Sequence, residues 1–185
     1  MAVKKPFISF RDLTAEEVDC RVVNVSKEGV KLLLCCDPRT AMKILDETVG
    51  AEHWQSHHYT VTESAYCQVG INVNFKDDNL EPAFTWKSDG AGKRFEGDVK
   101  GEASESFLRA CTQWGIGREL YTSPNIFVRG ATVELVKGSY QTPDRFRVSE
   151  LKVENKQIKS LSIERAYRAE DGKAAVEVCF TYPKT

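Results

Sequence analysis

The chain of 185 residues has no apolar run long enough to span a bilayer as a helix, which disfavours a membrane-spanning class. It also lacks an excess of either charge. Its 26 Lys and Arg stand against 27 Asp and Glu, which argues against a protein that coats nucleic acid by bulk positive charge. Histidine is scarce. His53, His57 and His58 find no zinc spacing with Cys35, Cys36 and Cys67, and His57 and His58 are expected on opposite faces of a strand. The remaining cysteines, Cys20, Cys111 and Cys179, add no C-x-x-C, so reduced thiols in a cytosol fit better than a disulfide framework. No G-x-x-x-x-G-K-[ST], H-E-x-x-H, nucleophile elbow or Cys–His signature occurs, which disfavours ATP-driven chemistry and favours binding over catalysis. No catalytic residue, metal ligand or cofactor is assigned. The opening M-A-V-K-K-P carries no signal-type apolar stretch, so the protein is expected to stay in the cytoplasm where it is made.

What is present is a folding composition: 41% hydrophobic and 29% charged residues exclude a disordered chain. The length suits one compact unit, read as a core over 1–122 and a β-rich extension over 123–185. The organising stretch is residues 100–121, K-G-E-A-S-E-S-F-L-R-A-C-T-Q-W-G-I-G-R-E-L-Y. Ala103, Phe107, Ala110, Cys111 and Trp114 recur at helical spacing on one face, while Glu102, Glu105, Arg109, Thr112 and Gln113 fall largely on the other. On that polar face Glu105 is the partner that helical spacing offers Arg109. Asp98 reads as the N-cap, and Gly115 as the left-handed residue that ends the helix.

Upstream, T-A-E-E from Thr14 has the form of a capping box and predicts a short helix from Glu17 to about Arg21. Residues 22–25 and 29–36 read as strands, and Leu32-Leu33-Leu34-Cys35 implies burial on both faces. Asp37, Pro38 and Gly50 delimit a helix whose core face is Ala41, Ile44, Leu45 and Val49. Alternation over 54–75, a turn at Glu63-Ser64 and a third strand over 84–88 predict an antiparallel meander. Further strands are expected at 127–136, 146–153, 158–167 and 174–182. The fold class is therefore α+β, a β meander packed on a central amphipathic helix with a C-terminal β-hairpin extension.

The segment S-F-L-R-A-C-T-Q-W-G-I-G-R-E-L-Y resembles the signature of the Rad-fifty-two superfamily of single-strand annealing proteins, phage and prophage type. In that family a helix with an Arg-Ala pair runs into an aromatic-Gly and then Gly-Arg. E-E-V-D-C-R-V around Arg21 and D-P-R-T-A-M-K-I-L-D-E-T-V-G-A-E-H-W follow the same family order upstream. The resemblance covers residues 10–121. It implies that Arg21, from a first helix, and Arg109, from the signature helix, line a DNA groove. It also matches Lys76 to a turn that carries a second-site lysine, and Lys87, Lys93 and Arg94 to a connecting loop that carries another. Leu108 and Leu34 stand where eukaryotic relatives have a lysine and a groove tyrosine. Arg118 belongs to the phage form of the motif, and DNA, a neighbouring subunit and a helix C-terminus are all open to it.

The implied function is ATP-independent annealing of complementary single-stranded DNA in recombination and repair by a homo-oligomer, a ring or helical array, without enzymatic activity. Positive charge would have to be local: residues 1–92 hold 10 Lys and Arg against 14 Asp and Glu, and residues 93–185 hold 16 against 13. Two readings compete. One is a metal-dependent nuclease built on Asp77 and Asp78, although adjacent carboxylates diverge in a strand and are solvated in a turn. The other is a β-rich adaptor for a host single-strand-binding or replication protein.

Overall fold

The computed structural model describes residues 8–77, 79–92, 99–169 and 171–183. The fold is α+β, with antiparallel strands and two α-helices. In chain order these are β1 (Val18–Ser26), β2 (Gly29–Cys36), α1 (Pro38–Val49), β3 (Trp54–Val61), β4 (Ser64–Asn72), β5 (Phe84–Gly90), α2 (Val99–Trp114), β6 (Ile126–Val128), β7 (Glu134–Val136), β8 (Ser139–Gln141), β9 (Arg145–Glu154), β10 (Gln157–Arg168) and β11 (Ala174–Tyr182).

The chain forms two compact units that interleave in sequence: Met1–Arg11 with Pro38–Arg118, and Asp12–Asp37 with Glu119–Thr185. This differs from a division at residue 122. Strands β1 and β2 join the C-terminal strands because β1 pairs with β9, so a long-range ladder overrides closeness in sequence.

In the first unit β3, β4 and β5 make a three-stranded meander with β4 in the middle. The β3–β4 turn places Thr62 and Glu63 at positive φ, the backbone a two-residue hairpin requires. One sheet face, with Cys67, Val69 and Ile71 buried, packs on α2, which buries Ser106, Phe107, Ala110 and Cys111. Trp114 closes this layer by donating from Nε1 to the Val69 carbonyl at 2.9 Å. Helix α1 buries Ala41, Ile44, Leu45 and Val49, the face its spacing defines.

The end of α2 is set by local chemistry. Gly115 takes φ 104°, its amide donates to Thr112 O at 3.0 Å, and the amide of Ile116 reaches back to Cys111 O at 3.2 Å. Two orphan carbonyls are thereby satisfied, and buried Ile116 seals the turn against the core. The expected N-cap, Asp98, lies outside the described residues.

The second unit is a six-stranded sheet in the order β11-β10-β9-β1-β2-β6. Its inner face carries Val30, Leu32, Leu34, Ile126, Val128, Val148, Leu161 and Ile163. The two outer strands approach one another: Asn125, Phe127 and Arg129 around β6 and Val178 to Thr181 of β11 line one cleft of about 610 Å³. Inside, Arg165 is buried and held by Asp144 at 3.2 Å, Glu177 at 2.7 Å and the Gly130 carbonyl. Glu119, fully buried, accepts the Leu13 amide at 2.7 Å and faces the Lys156 ammonium at 3.7 Å. Both charges enter the interior only with partners, as the cost of desolvation demands.

Three local expectations are corrected. The Thr14–Glu17 box is present, with the Thr14 amide donating to the Glu17 carboxylate at 3.1 Å, but it caps only a three-residue turn. The chain then extends at Val18, because the β-branched run of β1 pairs along β2, and Arg21 sits on a strand. Leu33 is 53% exposed between buried Leu32 and Leu34, so β2 is buried on one face only. The strand expected over 127–136 breaks at Gly130, whose φ of 78° turns the chain between β6 and β7.

Candidate nucleic-acid interface

The candidate cations divide between the two units. Arg109 and Arg118 belong to the first unit and Arg21 to the second. Arg109 projects from α2 toward β5, where its Nε and Nη2 donate to Asp89 Oδ1 at 3.2 and 3.1 Å. Helical spacing points to Glu105 as its partner; the fold instead pairs it with Asp89, across the packing of helix on sheet. Gln113, one turn further along α2, donates from Nε2 to Asp89 Oδ2 at 3.0 Å. Partial burial raises the Asp89 carboxyl, but hydrogen bonds from Gln113, the Gly90 amide and Arg109 outweigh it and hold the group below the usual carboxylate range.

Lys87 lies within β5 instead of the connecting loop. Its ammonium donates to the Gln113 carbonyl at 2.9 Å and stands 4.5 Å from the centre of the Trp114 ring. This contact fixes the helix end, and the alternation of β5 turns Lys87 toward α2. Arg118 reaches the C-terminus of α2: Nε and Nη2 donate to Thr112 O at 3.1 and 2.9 Å, and Nη2 also to Gln113 O at 2.8 Å. A cation there meets the negative end of the helix dipole. Lys76 is an exposed turn residue whose ammonium lies 5.3 Å from the Phe75 ring centre. Lys93 and Arg94 lie outside the described residues.

Arg21 has a different setting. On β1 it is exposed and faces outward with Asp19, opposite Leu33 of β2. Asp19 stands opposite Arg147 of β9 in the antiparallel register, which, continued by two residues, brings Arg21 toward Arg145. Arg145 pairs with Ala166 of β10, which places Arg168 on the same face, and Lys31 shares it from β2. All five cations are exposed. The carboxylates on this face include Asp19, Glu164, which accepts Arg147 at 2.6 Å, and Glu150, which accepts the Ser162 hydroxyl at 3.1 Å. The outer face of the six-stranded sheet is therefore a band of cations collected from β2, β1, β9 and β10. Its sequence signal is the alternation R-F-R-V at 145–148, where Phe146 and Val148 turn inward and both arginines outward.

Asp77 accepts hydrogen bonds from the Asn79 amide at 3.1 Å and its Nδ2 at 3.0 Å, a turn-forming role, while Asp78 lies outside the described residues. Among the described residues no group of three or more His, Cys, Asp or Glu is arranged to hold a metal ion, and no helix is long and apolar enough to cross a membrane. The thiols of Cys20 and Cys67 are pushed up by burial, to about 12 and about 11, and Cys20 is raised further by Cys179 and Cys35. Such thiols are poor nucleophiles at neutral pH.

Comparisons with protein-family models, with curated proteins and with solved structures gave no match.

Proposed function

We propose that the chain binds single-stranded DNA through its sugar–phosphate backbone and anneals complementary strands without ATP, acting as repeated copies along the strand. The observation that carries this reading is the outer face of the six-stranded sheet, where Arg21 and Arg145 come to neighbouring positions with Arg147, Arg168 and Lys31 around them. Like charges side by side on a sheet cost stability, and a polyanion laid across them recovers it. Exposed cations on an outer sheet face grip phosphates while leaving base edges free to test a second strand. The order of motifs that resembles the single-strand annealing proteins supports the same reading, with one change: the work assigned to Arg109 passes to the residues around Arg21. A few cations per subunit give useful affinity when copies repeat along one strand.

The test measures affinity for an oligothymidine across a salt series, with Arg21→Ala and Arg145→Ala beside the parent. Log affinity should fall linearly with log salt, and each variant should lower the slope by about 0.7 while melting as the parent does. Affinity indifferent to salt, or variants with the parental slope, would remove the arginine face. Complementary labelled strands mixed with and without Mg²⁺ should form duplex at unchanged strand length; shortened strands would replace annealing with nuclease activity, and neither product would leave an adaptor.

A further inference from the structure

The three-stranded sheet of the first unit has a second face, turned away from α2, and its side chains form an unusual surface. Register puts His57 and Tyr59 of β3, Tyr66 and Gln68 of β4, and Phe84 and Trp86 of β5 on it. The rings lie close to parallel. His57 and Tyr59 have centroids 6.1 Å apart at 16°, Tyr59 and Tyr66 5.6 Å at 25°, and Phe84 and Trp86 5.9 Å at 29°.

Two glycines explain why the rings lie flat. A Cβ on Gly70 would stand 2.6 Å from the Trp86 indole, and one on Gly90 2.8 Å from the Tyr66 ring. Each aromatic thus rests on bare backbone, which stabilises the sheet by itself. The same packing leaves outer π-faces turned to solvent: Trp86 is 41% exposed, and His57 is exposed as well. Along β4 the step from Tyr66 to Gly70 sets the two ring clusters about 13 Å apart, at about 3.3 Å per residue. Gln68 and Ser88 occupy the row between them and supply donors and acceptors. No carboxylate falls on this face among the described strand residues, although acidic residues equal basic ones over the chain to within one.

We infer that this face is a stacking platform for unpaired nucleobases. Flat rings with exposed π-faces accept any base, the Gln68 amide and Ser88 hydroxyl between them bond base edges without demanding one sequence, and the absence of carboxylates lets a phosphate backbone pass. Within each cluster the neighbouring rings lie near parallel, the arrangement on which a base can stack. The inference rests on the single-strand reading above and adds to it a contact with bases, independent of the arginines that hold phosphates.

The experiment compares the full chain and its Trp86→Leu, Trp86→Phe and Tyr59→Leu variants. Each is titrated with an oligothymidine and with an abasic strand of equal length and charge, at one salt concentration. The parent should prefer the base-bearing strand by about tenfold or more, Trp86→Phe should keep most of that preference, and the two Leu variants should lose most of it while binding the abasic strand as the parent does. Equal affinity of the parent for both strands, or a Leu variant that folds and keeps the preference, overturns the platform and leaves the phosphate reading standing. Failure of the parent to bind either strand overturns both. Loss of self-association in a Leu variant at unchanged preference for bases would assign the face to a protein contact instead. Trp86→Phe and the abasic comparison on the parent keep the test decisive even where a Leu variant does not fold.

Discussion

Arg109 and Asp89 form one point of attachment between helix and sheet: a guanidinium on α2 donates twice to a single carboxylate oxygen on β5, 20 positions away in sequence. The carboxylate is completed by Gln113 from the same helix. A cation so placed is a clamp first.

Arg109→Ala should therefore cost stability. Charge-assisted hydrogen bonds are worth more than neutral ones, but the Arg109 side chain is 41% exposed, so screening reduces the loss to about 1 kcal/mol. Asp89→Ala should cost a similar amount, and the double variant little more than either, as a thermodynamic cycle from denaturant melts would show. Affinity for single strands should stay within about twofold of the parent. A folded Arg109→Ala protein that melts with the parent yet binds strands much more weakly would return Arg109 to the interface.

The same pair predicts a pH dependence. The folded Asp89 carboxyl lies below its unfolded value, so its stabilising contribution is complete above the unfolded value of about 4 and is lost as pH falls through the folded value. Asp89→Asn should be less stable than the parent at pH 7, and the gap should close on acidification below about pH 4. Thermal melts of both proteins from pH 7 to pH 3 measure it. A gap that widens toward acid would show that the carboxylate is not held by these partners.

Gly70→Ala tests the bare backbone beneath Trp86. The new methyl would meet the indole at 2.6 Å, so either the ring or the β4 backbone must move. A loss of about 1–3 kcal/mol is expected, as for other overfilled sites. Adding Trp86→Ala in the same chain should recover part of it. A Gly70→Ala protein with the parental melting temperature would mean that the indole does not lie flat on β4.

Much of the secondary structure is legible in the sequence because it depends on local rules. Asp37, Pro38 and Gly50 bracket α1, and four apolar positions at helical spacing name its buried face. Gly115 marks the end of α2 through its backbone freedom, and the strands β3, β4, β5, β9, β10 and β11 announce themselves by alternation. The short helix expected around Arg21 does not form, because a capping box specifies only the first turn. Beyond that turn the partner strand decides, and β2 offers Val18 to Ser26 a ladder.

The candidate site is less legible, for the same reason. Sequence alone determined that the chain has a core helix with a polar face, no ATP-binding or metal signature, and cations in both halves. Which cations are neutralised is a question of partners, and partners come from pairing across the fold. Tertiary structure gave Arg109 to Asp89, Lys87 to the Gln113 carbonyl and Trp114, and Arg118 to the end of α2. It also brought Arg21 beside Arg145 through a bridge between strands more than a hundred residues apart, about which spacing along the chain says nothing. Hydrophobic periodicity is a property of neighbours in sequence, whereas an electrostatic surface is a property of neighbours in space; the first was readable here from the residues, and the second was decided only when the sheets closed their registers.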